Sequence, residues 1–207
     1  MKNPIVKVCG LRVEQNLRDV DALGVELLGL NFIRTSPRFG GDLSPTATKA
    51  LQGKLVGVFQ DQPLEEIRAA IEHFALSAVQ LHGAESPDMC STLREGVVVM
   101  KAIAVSDEQS LAACGAYASV VDLFVFDTAR PDGTSGGTGS GFSWEVLSGY
   151  VLPVPFLLAG GIGPDSVAAL RAFEHERCVG IDLNSRCERE PGIKDPKVIA
   201  KILEELR

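Results

Sequence analysis

The sequence predicts an α/β fold, a closed (β/α)8 barrel of parallel strands, and three observations carry that expectation. Short runs of Val, Ile, Leu and Phe recur eight times along the chain, most without polar interruption, which is how strands covered on both faces by helices read. Amphipathic segments alternate with them, and the strand-plus-helix period of about 25 residues is the scale of a βα unit. No G-x-G-x-x-G follows the first run, which favours a TIM barrel over an open doubly wound sheet.

The expected strands are Ile5–Cys9, Leu27–Phe32, Leu55–Phe59, Ala78–Leu81, Val97–Ala104, Leu123–Phe126, Pro155–Ala159 and Cys178–Leu183. Between them, Glu14–Leu23 carries Leu17, Val20 and Leu23 at helical spacing, and Leu64–Phe74 places Leu64, Ile67, Ile71 and Phe74 on one face. Pro164–Phe173 opens on Pro-Asp-Ser, a helix start, and Pro196–Leu206 closes the chain with Val198, Ile199, Ile202, Leu203 and Leu206. Ser44–Leu51, Ser86–Leu93, Asp107–Cys114 and Phe142–Leu147 are weaker helical patterns, and the sequence leaves one of them open as a loop. Arg130–Gly141 is glycine-rich and falls inside the repeat, so it is expected as an active-site loop rather than a linker.

Composition bounds the rest. The chain has 207 residues, 45% hydrophobic and 23% charged, enough to bury one core over residues 1–207 as a single domain. A net charge of −7 argues against a broad nucleic-acid surface, yet a few N–H groups and one cation suffice for a single phosphate. The cysteines are Cys9, Cys90, Cys114, Cys178 and Cys187, with no CxxC pair, so neither a disulfide framework nor a metal site is expected. A reducing, cytoplasmic location fits best. No signal peptide is apparent, and no apolar run approaches the roughly 18 residues of a membrane span.

A barrel of this kind builds its site at the C-terminal strand ends. There the sequence collects Cys9-Gly10, Ser36-Pro37-Arg38, Gln80-Leu81-His82-Gly83, Asp127-Thr128 followed by Gly136-Gly137-Thr138-Gly139, Ala159-Gly160-Gly161 and Asp182-Leu183-Asn184-Ser185. Gly137, Gly160, Gly161, Asn184 and Ser185 are candidate phosphate contacts, because glycine lets the backbone approach and turn its N–H groups to phosphate oxygens. A tight strand-to-helix turn is the plainer explanation of Gly160-Gly161, and location after strands seven and eight favours phosphate.

Taken in order, Lys7-Val8-Cys9-Gly10, Ser36-Pro37-Arg38, Val56-Gly57-Val58-Phe59, Gln80-Leu81-His82-Gly83, Phe126-Asp127-Thr128, Gly136-Gly137-Thr138-Gly139 with Phe142 and Trp144, Leu158-Ala159-Gly160-Gly161 and Gly192-Ile193-Lys194-Asp195 make a series that resembles the phosphoribosylanthranilate isomerases. The resemblance runs nearly end to end. It implies a cofactor-free Amadori rearrangement of N-(5-phosphoribosyl)anthranilate to 1-(2-carboxyphenylamino)-1-deoxyribulose 5-phosphate in tryptophan biosynthesis, on a small phosphorylated aminosugar substrate. It further implies Cys9 as general base, Asp127 as general acid, and Arg38 facing the anthranilate moiety. Oligomeric state is not legible.

These roles set physical demands. A free thiol has a pKa of about 8.5, so Cys9 is expected to need a lowered value. Lys7 is near in sequence, in a direction left open. Asp127 needs desolvation or a negative neighbour to hold its proton. Without the motif series, Cys9 reads as a small buried hydrophobe. Arg38 carries a planar fork suited to a carboxylate, or else is a solvated loop arginine. His82 and Asp182 are candidate substrate contacts, each with a structural reading beside it. His73 and His175 are expected at the surface, and the other four cysteines in packing or at the surface.

Two positions depart from the family pattern. Arg186 stands in the loop after strand eight where a glycine is usual, and Arg34 stands where an aromatic residue is common. Other readings are a different sugar-phosphate barrel isomerase or lyase, which lacks a cysteine after strand one, and a non-catalytic phosphate-ligand binding barrel.

Overall fold

The computed structural model describes residues 3–128 and 144–207. Eight parallel strands close in the order β1 to β8: Ile5–Cys9, Leu27–Asn31, Lys54–Phe59, Ala78–Leu81, Val98–Val105, Leu123–Thr128, Phe156–Leu158 and Cys178–Leu183. β8 pairs back onto β1, with Lys7 opposite Asp182. Every expected strand is present; β1, β4 and β8 keep the expected bounds and the other five differ by one or two residues at an end.

Alternation along each strand divides the side chains into two cores. Val56, Ala78, Met100, Ala102, Val125, Leu157 and Ala159 fill the barrel interior. Val6, Val8, Leu28, Leu30, Val79, Leu81, Phe124, Phe126, Ile181 and Leu183 point outward against the helices. Both faces are therefore apolar, which explains the uninterrupted hydrophobic runs.

The helices form where periodicity and caps agree. α1 spans Glu14–Asp21, and α2 spans Leu64–Phe74, ending at Ala75 in the left-handed region. α3, Pro87–Arg94, opens on Ser86, whose hydroxyl accepts from the Met89 N–H, with Pro87 in the first turn. α4 covers Glu108–Ala112 and continues as a 3-10 turn; α5 covers Val167–Ala172 behind a 3-10 turn at Pro164–Ser166. α6, Pro196–Leu206, is capped by Asp195. None of these helices is long and apolar enough to cross a membrane.

Ser44–Leu51 is the weak pattern that is not a helix: residues 45–50 form turns, and Ala50 takes φ 62°. Trp144–Gly149 is a 3-10 helix. No sequence pattern marks the hairpin β9–β10, Glu188–Glu190 with Ile193–Lys194. It is too short to show a period, and it carries two residues that matter below. Arg130–Gly141, with Gly137, lies outside the described residues.

Candidate active site

A cavity of about 690 Å³ opens at the C-terminal mouth of the barrel. Strand ends supply its walls: Cys9 from β1, Asn31 from β2, Val58 from β3, Gln80 and His82 from β4, Asp127 from β6, and Asp182 from β8. The loops after β2, β7 and β8 add Arg38, Gly160, Gly161, Asn184 and Ser185. Nine of the ten candidate site residues thus meet in one cavity; the tenth, Gly137, is not among the described residues.

Cys9 sits on the inward face of β1, two residues after Lys7, so both side chains share that face. Its neighbour across the pair is Gly29. A Cβ there would lie 2.9 Å from the Cys9 Cα and 3.1 Å from Sγ, so glycine makes the room in which the thiol stands. Beneath it, the fully buried Lys7 Nζ donates to Asp182 Oδ2 at 2.7 Å. Burial opposes the Lys7 charge, but Asp182 and then Cys9 outweigh it and raise the ammonium pKa. For Cys9, burial pushes the thiol up; Lys7 and Lys194 pull it down without reversing the shift, and Asp182 adds to it. The expected lowering of the Cys9 pKa is therefore corrected: desolvation of the thiolate exceeds the pull of the two lysines.

Asp127 enters the cavity from β6, and its Oδ2 lies 3.7 Å from His82 Nε2. That is beyond a direct hydrogen bond. Burial, then Lys7, lowers the His82 pKa, so the imidazole is neutral at physiological pH and presents a donor or an acceptor, not a charge. The loop carrying His82 is braced from outside the barrel. Lys101 Nζ donates to the Leu81 and Gly83 carbonyls at 3.2 and 2.6 Å and pairs with buried Glu85 at 3.0 Å.

Arg38 is held side-on. Its Nε donates to both Glu188 carboxylate oxygens, at 2.9 and 3.1 Å, and Nη2 donates to Oε2 at 2.7 Å. Glu188 also accepts from the buried Lys194 Nζ, which donates to Asn184 Oδ1 at 2.7 Å. Burial would raise the Glu188 pKa, but the hydrogen bonds from Arg38 and Lys194 keep it below the usual range. Burial lowers the Lys194 pKa despite Glu188. With the Nε–Nη2 edge taken by Glu188, the Nη1–Nη2 end remains as the second fork on which a carboxylate can be gripped.

At the other end, Gly160 and Gly161 follow one another at φ 83° and 65°. A Cβ on Gly161 would meet nothing within 4 Å, so backbone conformation, not crowding, calls for glycine there. Arg186 sits in the 3-10 turn Ser185–Cys187 and is not among the positive-φ residues, so replacing the usual glycine costs no strain. Its guanidinium pairs with Asp165, and its Cβ lies 2.8 Å from where a Gly163 Cβ would be. It packs on the loop after β7. Arg34 is exposed and does not line the cavity.

His175 departs from expectation. It is partly buried, its ring 5.0 Å from Phe156, and its Nε2 lies 3.2 Å from the Tyr150 carbonyl oxygen. Aromatic packing draws it off the surface. Cys90, Cys114, Cys178 and Cys187 are buried, in packing roles. Among the described residues no three His, Cys, Asp or Glu side chains gather as a metal site.

Sequence reasoning missed Gln80, Glu188 and Lys194 as site residues. Gln80 had a readable signal: a glutamine inside an apolar strand, two positions before His82 and therefore on the same inward face. Glu188 and Lys194 reach the site only through the hairpin.

The sequence matches the family model described as N-(5'-phosphoribosyl)anthranilate (PRA) isomerase over residues 6–205. It is 39% identical to an N-(5'-phosphoribosyl)anthranilate isomerase of Parabacteroides distasonis, with 98% of this chain and 93% of the relative covered. It is 36% identical to one of Phocaeicola vulgatus, with 98% of each covered. The crystal structure of phosphoribosyl anthranilate isomerase from Thermus thermophilus is similar with a TM-score of 0.81 at 27% identity, covering all of this chain and 98% of that one. A phosphoribosyl anthranilate isomerase in complex with reduced 1-(o-carboxyphenylamino)-1-deoxyribulose 5-phosphate gives a TM-score of 0.81 at 25% identity, covering 97% of each chain.

Proposed function

This chain belongs to the N-(5'-phosphoribosyl)anthranilate isomerase family, and on that premise we propose how its own residues carry the reaction. The activity is the aldose-to-ketose isomerisation of phosphoribosylanthranilate in tryptophan biosynthesis. The observation that carries the assignment of roles is the convergence of Cys9 and Asp127, from β1 and β6, on one cavity whose ends offer Arg38 and the Gly160-Gly161 turn.

Asp127 is the general acid. It gives its proton to the furanose ring oxygen; the C1–O bond breaks as the nitrogen lone pair forms the C=N bond, and Asp127 is left as a carboxylate. Cys9 is the general base. It takes the C2 proton of the protonated Schiff base, the C–H electrons become the C1=C2 bond, and the C=N electrons return to nitrogen. The enolamine then becomes the ketone as water takes the C2 hydroxyl proton and supplies one at C1; exchange with solvent re-protonates Asp127 and removes the proton from Cys9.

The upward shift of the Cys9 pKa fits this order. Burial opposes the thiolate charge, so Cys9 must give its proton to solvent before it can take the one at C2. A Schiff-base cation arriving beside it adds to the pull of Lys7 and Lys194 and favours the thiolate when C2 is most acidic. Neutral His82 supports Asp127 without giving it a competing full charge. Arg38 grips the anthranilate carboxylate by its free end, and Gly160, Gly161, Asn184 and Ser185 cradle the phosphate, with Gly137 as a further contact from the loop after β6. A relative of this fold carries the reduced product named above, which supports a phosphorylated aminosugar here. The odd number and wide spacing of the five cysteines, with no CxxC pair, support a cytoplasmic location.

Loss of the substrate's fluorescence tests the roles. With general acid–base catalysis contributing about 100- to 10,000-fold, Cys9→Ala and Asp127→Asn are each expected to slow turnover by at least that lower factor while staying folded. Near-native turnover in both overturns the assignment.

A further inference from the structure

Two buried acceptors in the cavity have no partner among the described residues: Gln80 Oε1 and Asp182 Oδ1. Gln80 is 2% exposed and Asp182 7%, and both line the cavity. An unpaired buried acceptor is costly, and native structures retain few of them. The residues paired with Gln80 across β3 and β5 are Val58 and Met100, whose side chains carry no hydrogen-bond donor, while the Lys7 ammonium donates to the other oxygen of Asp182.

β4 and β8 stand opposite each other in an eight-stranded barrel, and both side chains line the same cavity as Arg38 and the Gly160-Gly161 turn. We propose that Gln80 and Asp182 form a hydroxyl-reading subsite that takes the C2–C3 diol of the sugar and sets the specificity of this site for a ribosyl over a deoxyribosyl chain. This rests on the reading of the cavity as the isomerase site. The chemistry selects that part of the ligand. A carboxylate and a phosphate present acceptors and negative charge, and Asp182 repels both. A hydroxyl donates to either group. Gln80 suits a hydroxyl whichever way its amide is turned, since a hydroxyl both donates and accepts. The two acceptors thereby also set direction, because neither anionic end of the substrate can rest in the middle of the cavity.

The test is a binding measurement that needs no catalysis and so stands apart from the roles of Cys9 and Asp127. Reduced 1-(o-carboxyphenylamino)-1-deoxyribulose 5-phosphate and the same compound lacking its C3 hydroxyl are titrated by calorimetry into the native protein, Gln80→Met and Gln80→Glu. The native protein is expected to bind the hydroxylated compound about 10- to 100-fold more tightly, the scale of one buried polar group left unpaired. Gln80→Met is expected to bring the ratio close to one at unchanged melting temperature, and Gln80→Glu, which keeps an acceptor, to retain preference. Equal affinities in the native protein, or an undiminished ratio in Gln80→Met, overturn the subsite. Failure of both compounds to bind the native protein overturns the subsite and the isomerase reading of the cavity together.

Discussion

The Lys7 ammonium donates to Asp182 Oδ2 at 2.7 Å, one layer beneath Cys9 and out of reach of solvent. The pair has two effects with different readouts. Lys7 draws the Cys9 pKa down against burial, and its charge makes the interior site of Asp182 tolerable. Lys7→Met is expected to raise the Cys9 pKa further, moving the base limb of the kcat/KM profile to higher pH and lowering the rate at neutral pH about tenfold for each pKa unit. It also strands a buried carboxylate, at about 3–5 kcal/mol in denaturant unfolding. The double variant Lys7→Met, Asp182→Asn is expected to recover stability without recovering the rate. Recovery of both would leave Lys7 a structural residue only.

Gly29 makes room for Cys9. The nearest atom to an added Cβ is the Cys9 Cα at 2.9 Å, which is backbone and cannot rotate away. Gly29→Ala is expected to shift β1 against β2, cost about 1–3 kcal/mol as an overpacked core does, and lower kcat through misplacement of Sγ. A native melting temperature and native kcat together would refute the close approach.

Glu188 presents Arg38 to the cavity. Glu188→Gln leaves shape but removes the charge that holds both Arg38 and Lys194. The expected outcome is a KM increase of about tenfold with a smaller change in kcat, the pattern of lost substrate binding. Arg38→Lys is expected to raise KM similarly, because an ammonium lacks the second fork. A fall in kcat with KM unchanged in both variants would place the pair in the chemical step instead.

Alkaline stability has a definite sign. Burial raises the thiols of Cys90, Cys178 and Cys187 to about 11 and that of Cys114 to about 12, from 9.0. Above pH 9 the unfolded chain therefore loses protons that the folded chain keeps, and stability must fall as pH rises. Melting temperature is expected to lose this contribution progressively between about pH 9 and pH 12. Replacing Cys114 by Ala is expected to flatten that fall; an unchanged slope would contradict it.

Much of this arrangement was legible in the sequence. Strands buried on both faces announce themselves as apolar runs, and the strand ends carried Cys9, Asp127, His82 and Asp182 to one mouth because the barrel puts all C-terminal ends together. The direction of Lys7 was left open by the sequence; the fold sets it, on the inward face of β1 with its ammonium on Asp182. The Cys9 pKa did not follow, because it depends on how burial balances against two lysines, one of them 185 positions away in sequence. Glu188 was hidden for a similar reason: its hold on Arg38 spans 150 positions, and the hairpin that delivers it is two to three residues per strand.

The most direct test of the central claim is the turnover of Cys9→Ser. Oxygen for sulfur barely alters the volume at a site 6% exposed, so a residue kept for packing would leave kcat near native. A base would not survive the exchange, since a hydroxyl holds its proton far more tightly than a thiol. The account predicts a kcat at least about 100-fold lower at unchanged melting temperature. Native turnover in Cys9→Ser would contradict it.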